Sequence, residues 1–205
     1  MKTEFNKKIL LKYVPVYDAN LSLASGVTLS DAEISEGYEY CTLLEKEWNT
    51  VAQVLEYYTS LGFKLPNQTP AYLTHPRETF TPFSDPLTLH IKEDMNDVLA
   101  TLIHEYCHVL FLYYENDTLA DKIWSAVQKA FSAEDFSTQD HIIINKLTEA
   151  GLYYLWGKEK TDTILSKERI LPGLEQAWKI LNSAELKNTD PIEAILELCA
   201  QQSGR

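Results

Sequence analysis

Five of the eight prolines in this 205-residue chain fall between Gly62 and Lys92: Pro66, Pro70, Pro76, Pro82 and Pro86. A proline has no N–H to give a helix, and its ring clashes with the preceding turn, so this stretch is not helical. It separates a helical N-terminal part from a longer helical C-terminal part. Within it, short strands are expected at Ala71 to Thr74 and at Leu87 to Ile91. Such dense prolines favour loops and edge strands, where a missing donor is tolerated. Ahead of Asn20, the β-branched and aromatic residues from Ile9 to Tyr17 predict a strand or extended arm.

On either side the apolar residues step by three or four. Ser30 and Glu33 make a capping box, and Ile34, Tyr38, Cys41, Leu44, Trp48, Val51, Leu55 and Tyr58 follow as one stripe. One long helix is therefore expected from Ser30, ended by Gly62. After the prolines, Asp94 is placed to cap a helix running to about Tyr114. Asp117 opens another through Phe131, and Ser137 caps a third to about Trp156. A fourth passes through Leu174, Trp178 and Leu181. The last starts at Asp190-Pro191-Ile192-Glu193, where cap, first-turn proline and third-position glutamate all sit in preferred places. Trp124, Trp156 and Trp178 read as packing residues.

The net charge of -12 and a pI near 4.8 disfavour binding to nucleic acid or an anionic membrane surface, and no basic patch offsets them. Three cysteines (Cys41, Cys107 and Cys199) do not make a disulfide framework. The N-terminal lysines Lys2, Lys7 and Lys8 precede an apolar run, Ile9-Leu10-Leu11, too short for a signal-peptide core. A cytoplasmic protein is expected.

The residues with chemistry are His104-Glu105-Tyr106-Cys107-His108. Two histidines four apart on a helix project from one face, one turn apart. Zinc favours such nitrogen ligands, and Glu105 beside them can take a proton from water. With 5 histidines, a random arrangement yields the pattern in about 1% of such chains, so the flanking sequence has to decide. At 100° per residue, His104, Glu105 and His108 share a face with Thr101 and Leu112. Leu99, Leu102, Tyr106, Val109, Leu110 and Tyr113 take the other. A buried polar face of this kind needs partners or a metal.

A third ligand has to come from downstream. Glu115, Asp117, Asp121, Asp140, His141 and Glu149 are the candidates. Glu115 and Asp117 point away at the end of the same helix. Glu149 is preferred, in mid-helix and in a column with Asn145 and Tyr153; His141 is next. Tyr153, more than Tyr154, is a candidate to donate to an oxyanion, and Asn145 to support a ligand. Cys107 reads as a buried inert thiol, His90 as a strand residue facing solvent and His75 as loop.

His104-Glu105-Tyr106-Cys107-His108 followed by Thr148-Glu149-Ala150-Gly151-Leu152-Tyr153-Tyr154 resembles the gluzincins, zinc peptidases with two histidines from one helix and a glutamate from the next. The resemblance covers about residues 70 to 156. It implies zinc held by His104, His108 and Glu149, Glu105 as general base and a peptide or protein substrate. It also implies an edge strand before the motif helix that binds substrate backbone, the place of Leu87 to Ile91. Two features depart from the thermolysin-like members: Tyr153 stands where they have an aspartate, and no histidine follows His141. These departures are equally those of a zinc-binding protein without activity. The expected fold is α+β and mostly helical, with a small antiparallel sheet packed on the motif helix, zincin-like, in a single domain. Its parts are an arm and long helix (1–62), the sheet with the motif and glutamate helices (63–157), and C-terminal helices (158–205).

Overall fold

The structure, a computed structural model, describes residues 9–77, 81–92, 94–112 and 118–204, with the backbone alone at 48 and 112. The lysines at 2, 7 and 8, and Tyr113, Tyr114, Glu115 and Asp117, lie outside the described residues. The protein is mostly helical with one small mixed sheet. Its chain falls into two compact units. The first holds Met1–Glu56 and Leu65–Val109, the second Tyr57–Lys64 and Leu110–Arg205.

In the first unit, β1 (Ile9–Tyr13), β2 (Thr69–Thr74), β3 (Phe83–Ser84) and β4 (Leu87–His90) form a sheet of order β1-β2-β4-β3. The expected antiparallel sheet is corrected by this pairing. β1 runs parallel to β2 and β2 parallel to β4, and only the short β3/β4 hairpin is antiparallel. The edge position expected of Leu87 to Ile91 is corrected too, because Thr88 pairs with Tyr72 on one side and Phe83 on the other. Pro70 is nonetheless accommodated inside β2. Thr74 gives its carbonyl to Ile91 of the β4 side, so the even residues of β2 face β4; the β4 ladder begins only at Tyr72. The donor that Pro70 lacks is therefore not needed.

β1 stops at Tyr13, earlier than expected, because Pro15 takes the first turn of α1 (Pro15–Ala24). α2 (Asp31–Lys46) starts with the Ser30–Glu33 capping box as read from the sequence. The single long helix does not form. The chain breaks at Glu47 and resumes as α3 (Trp48–Ser60), with the stripe residues Leu44, Val51, Leu55 and Tyr58 still buried. α1 and α2 pack on β1 and β2. Gly37 permits the contact: a Cβ there would lie 2.2 Å from Tyr13 Cζ. α4 (Met95–Leu112) follows the sheet, and Asp94 Oδ1 accepts from the Asn96 N–H at its start.

The second unit packs α5 (Thr118–Ala130) and α6 (Phe136–Glu168) with α7 (Glu175–Ser183) and α8 (Pro191–Ser203). Its core includes Ile123, Val127, Ile143, Leu147, Leu165, Trp178 and Ile195. The cap of α6 is Asp135, whose side chain accepts from Thr138, and not Ser137 two residues on. Gly157 interrupts α6 with φ 73°, a conformation open to glycine, yet the chain turns helical again beyond it. Asp190 caps α8 through the Ile192 and Glu193 N–H groups, as its sequence predicts. No helix among the described residues is long and apolar enough to cross a membrane. Cys41, Cys107 and Cys199 form no disulfide, and burial pushes the Cys199 thiol up to about 11.

Candidate metal centre

α4 is buried on nearly every side. Val98, Leu99, Leu102, Ile103, Tyr106, Cys107, Val109 and Leu110 are all buried, and so are Thr101, His104 and Glu105. His104 and Glu105 are each 8% exposed, and His108 is half-buried. The face that periodicity made polar is thus part of the interior, where imidazole and carboxylate groups are costly unless paired or metal-bound. His104 and His108 stand edge to face, with ring centroids 5.1 Å apart and planes at 68°. Their ligand nitrogens lie within 4.8 Å of each other. Zinc–nitrogen bonds of about 2.1 Å set two tetrahedral ligands about 3.4 Å apart, so a modest rotation of either ring brings both onto an ion. The donor chemistry fits zinc. One turn earlier, the Thr101 hydroxyl donates to the Asp97 carbonyl at 2.8 Å and accepts from Lys92 Nζ at 2.7 Å.

Glu149 and Tyr153 belong to the second unit and are brought together there. The Tyr153 hydroxyl donates to Glu149 Oε1 at 3.3 Å and to Asp162 Oδ1 at 3.0 Å. Glu149 Oε2 accepts from Lys146 Nζ at 3.0 Å, and its Oε1 from Arg169 Nη2 at 3.2 Å. The same guanidinium reaches Asp162, which also pairs with Lys158. Both Glu149 oxygens therefore have cationic donors from its own unit. Tyr153 has its phenol pushed up, by burial first and then by Glu149 and Asp162. Tyr154 is exposed and stacks on Tyr57 at 4.8 Å.

Other candidates sit earlier on α6, Asn145 about one turn and His141 about two turns before Glu149. His141 Nδ1 lies 2.7 Å from the Ser137 carbonyl. A carbonyl only accepts, so Nδ1 carries the hydrogen and the lone pair of the neutral ring is on Nε2. Asn145 shares the His141 face but parts from Glu149 and Tyr153, because it is 1% exposed and they are half-buried.

Sequence reasoning missed a polar cluster in the first unit. Asp18 is fully buried, and its Oδ2 lies 2.7 Å from His75 Nδ1 and accepts from the Tyr13 hydroxyl at 3.0 Å. Its Oδ1 accepts the His75 main-chain N–H at 3.1 Å. His75 Nε2 lies 3.5 Å from Glu36. Burial alone would pull His75 down, but the hydrogen bond and charge of Asp18, with Glu36 and Glu33, carry it above the ordinary histidine value. A lone His-Pro in a proline-rich stretch gave no sign of this, because its partner lies 57 residues away. His90 is another correction. It is buried, not solvent-facing, and is pushed down to about 4, first by burial and then by Lys92.

Comparison with protein-family profiles, with curated proteins and with solved structures finds no match to this chain.

Proposed function

We propose that the protein is a zinc-dependent peptidase, with the metal held by His104, His108 and a third side chain from α6. The observation that carries this reading is the histidine pair itself: two imidazoles one turn apart on an otherwise buried helix, with a buried carboxylate at Glu105. Of the third-ligand candidates, local chemistry favours His141 over Glu149. His141 has its Nδ1–H fixed on a carbonyl, as zinc-ligating histidines commonly do, which directs Nε2 to a metal. Glu149 has its charge answered by Lys146 and Arg169. With His141 the proposed ligands are three imidazoles, a donor chemistry that suits zinc, rather than the two histidines and glutamate of the gluzincin pattern.

Bound zinc would supply Lewis acidity toward a substrate carbonyl and make an adjacent water acidic near neutral pH. Glu105 takes the proton of the attacking water and returns it to the leaving amine. Burial of Glu105 keeps bulk water from competing for that proton.

The test is Glu105→Gln. Peptide hydrolysis falls by about a hundredfold or more while zinc is retained; hydrolysis that survives the change intact overturns the mechanism. A second reading, a zinc-binding protein without activity, is favoured by one observation. The hydroxyl of Tyr153, the candidate oxyanion donor, is already given to two carboxylates. That reading expects zinc in the wild type and no hydrolysis before or after the substitution.

A further inference from the structure

The polar cluster around Asp18 accounts for one ring nitrogen of His75 and not for the other. His75 is 5% exposed, and its Nδ1 lies 2.7 Å from Asp18 Oδ2. A carboxylate only accepts, so Nδ1 carries the hydrogen and the lone pair of the neutral ring sits on Nε2. Nε2 is buried as well and makes no hydrogen bond among the described residues. What faces it is the Glu36 carboxylate, with Oε2 at 3.5 Å. Gly37 lets α2 come down on Tyr13, and Glu36, the residue before it, is set against the imidazole. Two acceptors turned toward each other call for a positive charge between them.

A proton shared by the two would draw them to about 2.7–2.9 Å, the length of a charge-assisted hydrogen bond. The observed gap is wider. Bonds of about 2.0–2.1 Å from zinc to an imidazole nitrogen and a carboxylate oxygen set those atoms about 3.4 Å apart in a tetrahedral shell. The spacing is that of two ligands on one ion. Behind the ring, Asp18 makes the carboxylate contact that orients metal-binding histidines and raises their basicity. Asp18 is itself held by the Tyr13 hydroxyl and the His75 main-chain N–H, so the imidazole is fixed before any ion arrives. Glu36 is exposed, which opens its carboxylate to an ion from solvent, and water fills the remaining positions. Arg77, close by, is paired with Glu33, whose carboxylate also closes the Ser30 capping box. Glu33 is thus already engaged and is not a ligand.

We propose that His75 and Glu36 bind a divalent transition-metal cation, with Asp18 positioning the imidazole. One imidazole and one carboxylate hold an ion more weakly than three side chains do, so this ion exchanges with the buffer and is lost on dialysis. The site is built from the first unit alone and does not depend on the peptidase reading.

The test follows the imidazole signals of the full-length chain labelled with ¹⁵N in histidine. Zinc equimolar with the chain is added first, to fill any tighter centre, and zinc is then titrated further at about pH 7.5. The His75 ring signals, assigned by their loss in His75→Gln, shift and saturate in the micromolar range. Magnesium, which prefers oxygen ligands, leaves them in place. Glu36→Gln, an exposed change on α2 that the fold tolerates, weakens the response at least about tenfold. Lowering the pH to about 5.5 releases the ion, because a proton competes for Nε2. His75 signals that stay in place up to millimolar zinc, or that respond as strongly in Glu36→Gln, overturn the site. So does a response to magnesium equal to that to zinc, which makes it an effect of ionic strength. His104 and His108 give separate signals, so a chain that takes up no zinc there contradicts the peptidase reading and leaves the outcome at His75 to be read by itself.

Discussion

Asp18 in the first unit and Asn145 in the second are buried to the same depth and treated in opposite ways. Asp18 receives a phenol, an imidazole and a main-chain N–H, so the protein completes it. Asn145 has no partner among the described residues. A completed buried carboxylate fastens the chain after β2 to α1, and its worth is in stability. A buried carboxamide left without a hydrogen bond costs about 1–3 kcal/mol to keep. The same contrast separates Glu149, ringed by cations, from His141 with its oriented ring.

Removing Asp18 tests the completed side of this comparison and carries the largest effect. Asp18→Ala leaves Tyr13 and His75 facing a void and lowers unfolding free energy by about 3–5 kcal/mol in denaturant titration. A loss under about 1 kcal/mol would mean the cluster is not a structural fastening. Next come the rival third ligands. His141→Ala weakens zinc binding by about a hundredfold or more, whereas Glu149→Gln leaves it within about twofold, both followed by competition with a chromophoric chelator. The reverse order reinstates Glu149 as the ligand.

pH distinguishes His75 from His90, both buried in the first unit. His90 sits at about 4 in the fold against 6.5 ordinarily. The unfolded chain therefore takes up a proton that the folded site refuses. The stability involved is whole above about 6.5 and is lost as pH falls toward 4. His75, held above its ordinary value, acts in the opposite sense. Its contribution is whole below about 6.5 and is lost as pH rises through its folded value. His90→Gln accordingly flattens the stability curve on the acid side, and acid curves that stay parallel to the wild type contradict the assignment. The smallest effect is that of Tyr153→Phe, which lowers stability by about 0.5–1.5 kcal/mol and leaves zinc affinity unchanged.

Local features were legible before the structure. The caps at Ser30–Glu33, Asp94 and Asp190 depend on residues within one turn, and each is found where the sequence predicts it. The break at Glu47 was not legible, because the apolar stripe runs through it in phase. Parallel pairing of β1 with β2 joins Ile9 to Thr69, and no local pattern encodes so distant a partner. The column of Asn145, Glu149 and Tyr153 was read as one face. It divides because Arg169, returning after the Gly157 interruption, draws Glu149 and Tyr153 into an ionic network that Asn145 does not join. The histidine pair was legible in full, since a four-residue spacing on one helix fixes its geometry.

Zinc binding by that pair is the central claim, and metal content measures it most directly. The chain, loaded with zinc and dialysed, should retain a single equivalent by mass spectrometry. His104→Ala and His108→Ala should each lose it, and Glu105→Gln should keep it. A wild-type chain that holds no zinc, or histidine variants that hold it as tightly as the wild type, would contradict the account.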